Sequence, residues 1–277
     1  MKLSKLISTS TLLTLTVSFN VKADDWQFQV TPYLWLPTIG GSLVHDQPPG
    51  GGAPEVDVGP TDWLELLNFA ALVSGTARNG KFSIITDMVY LSLAKDSDGE
   101  VASVQGRGAS GRISTPVSGS LNLDTESDLD GLTWTLAAGY TLGETETSLI
   151  DVFVGVRYFG VEVSSDWELS AAITTPQGDT VLARQGSIKS DQDLWDGIVG
   201  VRGHLGLGDG KWTLPYSLDV GTGSSELTLN AIVGLSRSFD WGDLVLAYRH
   251  LQYDQEKGGL LQDFSFSGPA FGVTFRF

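Results

Sequence analysis

The chain closes on Gly268–Phe277, GPAFGVTFRF, with apolar side chains at every second position: Phe271, Val273, Phe275 and Phe277. Between them stand Gly268, Ala270, Gly272, Thr274 and Arg276. Period-2 alternation marks a strand with two unlike faces. Soluble domains tend to fray into polar residues at their termini. A final aromatic in phase with three other apolar side chains reads instead as part of a wall. A segment of about 9–11 residues with one apolar and one polar face is what a transmembrane β-barrel requires of each strand.

Nine further segments carry the same signal. They are Trp26–Leu36, Leu67–Arg78, Lys81–Ala94, Leu132–Leu142, Thr147–Val163, Leu194–Leu205, Lys211–Gly221, Glu226–Phe239 and Asp243–Tyr253. In LTWTLAAGYTL, Leu132, Trp134, Leu136, Ala138, Tyr140 and Leu142 share one face, and Thr133, Thr135, Ala137, Gly139 and Thr141 the other. Every polar backbone group in lipid needs a partner, so such a set of strands must close on itself.

The connections alternate in length. Asn79-Gly80, Gly143–Glu146, Gly208–Gly210 and Asp240–Gly242 are short and rich in the residues that accept positive φ in hairpin turns. Pro37–Leu66, Lys95–Gly131 and Ser164–Asp193 are long, Asp254–Asp263 is intermediate, and Thr222–Ser225 is a short exception. Outer-membrane barrels have this asymmetry, with short periplasmic turns and longer outer loops. The expected fold is therefore all-β: an antiparallel transmembrane β-barrel of about ten strands, with eight to twelve as the range. Within the long connections, Val101–Leu123 and Leu169–Ile188 alternate weakly. They are expected either to extend the strands above the membrane as hairpins or to form a lid.

Composition agrees. Charged residues are only 18 %, aromatics reach 10 %, and there are 34 Gly, which suits strands and tight turns rather than a helical bundle. Residues 1–23 combine Lys2 and Lys5 with the apolar stretch Leu6–Phe19 and end on Val21-Lys22-Ala23, the pattern of a secretory signal peptide. The barrel domain is then 24–277. The chain has no Cys, so no disulfide supports it. A net charge of −16 argues against a nucleic-acid partner.

The polar face of each segment carries the charges. Arg78, Asp87, Asp151, Arg157, Asp196, Arg202, Asp219, Arg249 and Arg276 all fall on it, as does His204. An Arg turned toward lipid at the bilayer midplane costs about 2–4 kcal/mol, so these residues are expected inside the lumen. Arg is suited to bidentate pairing with carboxylates. Two functions follow. One is a narrow charge-lined channel for small solutes or ions, its fixed charges setting selectivity. The other is a non-conducting structural or surface-interaction barrel, its lumen plugged by Asp/Arg pairs; a small barrel favours filling by side chains.

An enzyme is the least supported class, and no catalytic residue, cofactor or metal is expected. The chain has three His, His45, His204 and His250; no two are spaced as metal ligands, and no GxSxG occurs. By parity His250 points toward lipid near the outer rim. The outer connections are acidic, with Asp124, Glu126, Asp128 and Asp130 in one run. That run lacks the Gly and the final Glu of a calcium loop. Solubility accounts for the acids; the sharper reading is divalent-cation bridging to lipopolysaccharide phosphates, or attraction of cationic solutes. The expected aromatic girdle comprises Trp26, Trp35, Tyr90, Trp134, Tyr140, Tyr158, Trp212, Tyr216 and Phe277.

Several phrases resemble a family of bacterial outer-membrane β-barrel proteins of similar length, most of unassigned function. They are VTPYLWLPTIGGSL (Val30–Leu43), FSIITDMVYLSLA (Phe82–Ala94), DVFVGVRYFGVEV (Asp151–Val163), AYRHLQYD (Ala247–Asp254) and the closing GPAFGVTFRF. The resemblance implies a place in the outer membrane, in contact with its lipid and lipopolysaccharide. It also implies that the closing strand, through Phe271, Val273, Phe275 and Phe277, is the signal read by the barrel assembly machinery.

Overall fold

The computed structural model describes residues 26–43, 55–110, 113–175, 178–208, 211–255 and 261–277. The expected signal peptide and His45 lie outside the described residues. In chain order the elements are β1 (Trp26–Trp35), β2 (Thr38–Leu43), β3 (Glu55–Val58), α1 (Pro60–Leu64), β4 (Leu67–Asn79), β5 (Phe82–Ser110), β6 (Ile113–Glu144), β7 (Leu149–Thr175), β8 (Gly178–Leu207), β9 (Trp212–Gly223), β10 (Leu227–Phe239), β11 (Gly242–Asp254) and β12 (Leu261–Arg276).

Ten of these strands form the wall. β1 pairs with β4, each strand from β4 to β12 pairs antiparallel with the next, and β12 returns to β1. The seam runs from Gln29 opposite Arg276 to Trp35 opposite Ala270. Phe277 extends it: its N–H donates to the Phe28 carbonyl at 2.9 Å, and the Phe28 N–H donates back at 3.0 Å. The sheet is thus closed, which leaves no free edge along the seam. Gly80 and Gly208 adopt positive φ in two of the short turns, where a Cβ would be strained. The turns after β4, β6, β8 and β10 and both ends of the wall lie at one end of the barrel, the inner end by the rule that periplasmic turns are short; the short β9–β10 turn lies at the other.

The two faces separate as the alternation demands. Phe82, Val154, Val199 and Leu246 point outward and are more than half exposed, a large apolar surface that only lipid covers at no cost. Aromatics border this belt. At the inner end Phe82 meets Tyr140 edge-on at 5.3 Å, Trp26 stacks with Phe28, and Phe277 is 77 % exposed. At the outer end Tyr158 meets Trp195 at 4.8 Å. The Tyr90 and Tyr158 hydroxyls donate to Asp130 and Asp193, the first acids above the belt. Trp35 departs from its expected place. It is on the inward parity of β1, 3 % exposed, and belongs to the interior, because its apolar neighbours across the lumen offer it a better contact than a rim.

Val154, on the part of β7 that crosses the membrane, gives a direct check of the lipid face. Val154→Arg is expected to lose about 2–4 kcal/mol of folding stability in lipid vesicles, read by urea titration of tryptophan fluorescence. An unchanged midpoint would mean that this face does not meet hydrocarbon.

The outer end differs from a set of loops. β5, β6, β7 and β8 run 29, 32, 27 and 30 residues, about three times what spans a bilayer. The connections expected over Lys95–Gly131 and Ser164–Asp193 are therefore mostly strand. The β5–β6 register continues without reversal from Phe82 opposite Tyr140 to Ser110 opposite Ile113. Of the two expectations, extension as hairpins is the one the structure has: a four-stranded blade above the barrel. On it Lys189 pairs with Glu162 at 2.5 Å, and that carboxylate raises the Lys189 pKa above its ordinary value.

Pro37–Leu66 is also structured. Above Pro32 opposite Val73, β1 parts from β4. The chain breaks at Leu36-Pro37, then β2 continues along β12 and folds back as β3. α1 lies in the resulting wedge. Its Trp63 is 2 % exposed and donates from Nε1 to the Pro37 carbonyl at 2.8 Å.

Candidate functional site

The inward residues of the ten strands form three tiers. The innermost is a polar vestibule of about 320 Å³, bordered by Gln27, Gln29, Arg78, Arg202, His204 and Ser217. Here Asp151 of β7, fully buried, collects the cations. Arg78 approaches its Oδ2 at 2.5 Å, Arg202 lies at 3.8 Å, and Thr141 donates to Oδ1 at 2.7 Å. Arg202 also donates to Thr76 at 3.0 Å. Arg276 pairs with Asp243 at the inner rim, where the Arg276 side chain is half exposed.

The middle tier crosses the lumen. Tyr33 of β1 donates to Asp87 of β5 at 2.8 Å, and Arg249 of β11 meets the other Asp87 oxygen at 2.8 Å. Arg249 donates through Nε to the Asn230 carbonyl oxygen at 3.1 Å, and Asn230 donates to Asp219 at 2.8 Å. Asp219 Oδ1 is 2.7 Å from Arg157 Nη2. Arg157 then donates to Thr135 at 3.2 Å and Thr228 at 3.3 Å. One unbroken polar chain so links strands from opposite sides of the barrel. Arg157 is 1 % exposed and Arg249 2 %. Asp87 Oδ2 and Asp219 Oδ1 take their cations by charge contact rather than aligned hydrogen bonds. The small residue at Gly200 makes room: a Cβ there would lie 2.5 Å from the Leu218 carbonyl and 2.6 Å from the Asp219 Cβ.

Above this tier the lumen turns apolar. Trp35, Val89, Phe159, Leu194, Leu251, Tyr253 and Phe264 form one buried cluster. Arg249 lies under the Trp35 ring at 4.8 Å, a cation–π contact at the boundary between the tiers.

All nine charges expected on the inner face point inward, but they do not form one network. Asp151 and Arg157, on one face of one strand, serve different tiers. Asp196 stands opposite Arg157 in the ladder, yet its carboxylate accepts the Ser225 N–H at 2.8 Å and holds the β9–β10 turn. Sequence reasoning passed over Asp243, Tyr33 and Asn230. Asp243 has the parity of Arg249, and Asn230 that of the inner face of β10, so the alternation itself was a usable signal. On the outward face His250 contacts Ser267 at 2.6 Å and Gln252 at 3.3 Å. Ser267 is paired in the ladder on both sides, with His250 and with Thr38.

A closed ten-stranded antiparallel barrel with an apolar exterior and a charged interior is a transmembrane barrel of the outer-membrane class. Within that class no protein-family model matches the sequence, and no curated protein does. Solved structures similar to this chain include the translocator domain of the autotransporter NalP from Neisseria meningitidis: 15 % identity, 91 % of this chain and 88 % of that one, TM-score 0.37. Another is the outer membrane protease OmpT from Escherichia coli: 11 % identity, 92 % and 98 % covered, TM-score 0.40. A third is the attachment invasion locus protein Ail of Yersinia pestis: 8 % identity, 91 % and 99 % covered, TM-score 0.30. At these scores the likeness carries no conclusion about activity.

Proposed function

We propose that this outer-membrane barrel is closed to ions along its axis, its middle tier acting as a plug. The observation that carries this reading is Arg157, a guanidinium 1 % exposed that ties β7 to β6, β9 and β10. A conducting path needs water beside its fixed charges. Here Arg157 pairs with Asp219 and Arg249 with Asp87 and Asn230, and Arg157, Asp219 and Arg249 are almost wholly buried although they border the vestibule. The reading makes the protein non-enzymatic. Its exterior meets outer-membrane lipid and lipopolysaccharide, and its closing strand is the segment offered to the barrel assembly machinery through Phe271, Val273, Phe275 and Phe277.

The rival is the narrow charge-lined channel for small solutes or ions. The vestibule favours it, because polar space reaches from the inner end as far as Asp87, Asp219 and Arg249. Single-channel recording of the refolded protein in a planar bilayer separates the two. Folded protein, verified by the mobility shift between unboiled and boiled samples, is expected to give no steps. Reproducible small steps with ion preference would overturn the plug and install the channel.

A further inference from the structure

Above the plug lies a cavity of about 280 Å³. Its border includes Trp35, Val89, Leu91, Phe159, Leu251 and Phe264, contributed by β1, β5, β7, β11 and β12. Apolar cavities of about 150 Å³ stay dry and take up benzene. This one is nearly twice that size, and it is lined by aromatic and aliphatic side chains that a packed core would have closed over. Almost none of the surface that lines it is polar, and the buried Trp35 Nε1 does not open onto it.

The wall beside the cavity is also unusual. Pro37, which borders the cavity, is where β1 breaks into β2, and its carbonyl is the acceptor for Trp63 of α1. Beyond Val73 the described residues of β4 pair with β5 alone, so the ladder is interrupted on this side. The cavity thus adjoins the one stretch of described wall held by a short helix instead of a strand, and this stretch faces the outer part of the membrane. Molecules that concentrate in hydrocarbon meet the barrel there.

The geometry points to a binding site in this chamber for a small, neutral hydrocarbon molecule, such as a medium-chain alkane. It fills the space between the aromatic and aliphatic walls. The site is separate from the plug below it and does not depend on whether the lumen conducts.

The test uses the refolded full barrel in amphipol, with nonane fluorinated at its terminal carbon as the probe, read by fluorine NMR. A bound resonance distinct from the partitioned one is expected. Leu91→Trp, which fills the chamber, should abolish it. Val161→Trp serves as a second filling variant should Leu91→Trp refold poorly. Absence of a bound resonance in the unaltered protein would overturn the proposal, as would a bound resonance that survives both filling variants. An intact phospholipid retained by protein extracted from membranes, with the alkane excluded, would replace the small molecule with a lipid chain and so overturn it too.

Discussion

Arg157→Ala is expected to lower the stability of the folded barrel by about 3–5 kcal/mol, the range for removing one partner of a buried ion pair. The loss is large because of what remains. Asp219 is 3 % exposed and would keep only the Asn230 amide against its charge. Thr135 and Thr228 would lose the donor that fills the space between them. The double variant Arg157→Leu, Asp219→Leu should recover much of the loss, since an apolar pair of similar volume needs no compensating charge. Urea titration in lipid vesicles measures both. An Arg157→Ala barrel as stable as the parent would sink the plug reading, because a side chain lining a hydrated path can be removed at little cost.

Phe159→Ala should cost a similar amount, about 3–5 kcal/mol, for a different reason. The Phe159 ring lies 5.1 Å from Tyr253 and 4.9 Å from Phe264, and it holds these three strands' inner faces in contact. Alanine there leaves a void in the apolar tier that the closed wall cannot collapse to fill. Phe159→Leu, which keeps most of the volume, should cost well under half as much. A Phe159→Ala barrel of parental stability would mean that the apolar tier contributes packing to nothing else.

These two residues also show how far the sequence could be read. Arg157 was legible: it sits between Val156 and Tyr158 in a clean alternation, and a charge in that phase has only one affordable direction. Phe159 was not. Period-2 reasoning assigns the polar parity to the lumen, and in YFGVEV the inward parity is Phe159, Val161 and Val163 while the one charge, Glu162, falls on the other, so the inner phase reads as apolar. Trp35 was misplaced on the rim for the same reason. The blade was half legible, because Val101–Leu123 alternates too weakly to separate a hairpin from a lid, and the pairing across the ladder decides it. The wedge was not legible at all. Pro37 announces an interruption, but nothing local says that Trp63 will be drawn back to the Pro37 carbonyl.

The seam between the first and last wall strands has a consequence for how the molecule is made. Thr31 and Thr274 share a hydrogen bond at 2.8 Å although 243 residues separate them in the chain. Every other pairing among the ten wall strands joins consecutive wall strands and can form soon after its second strand is synthesised. The seam, and the pairing of β2 with β12, must wait for β12. Until β12 arrives, β1 and β11 are both edges, and an unpaired edge is a hazard in water and forbidden in lipid. Assembly is therefore close to all-or-none: a nascent chain lacking β12 gains no partial foothold in the membrane, and this sixteen-residue strand commits the whole wall.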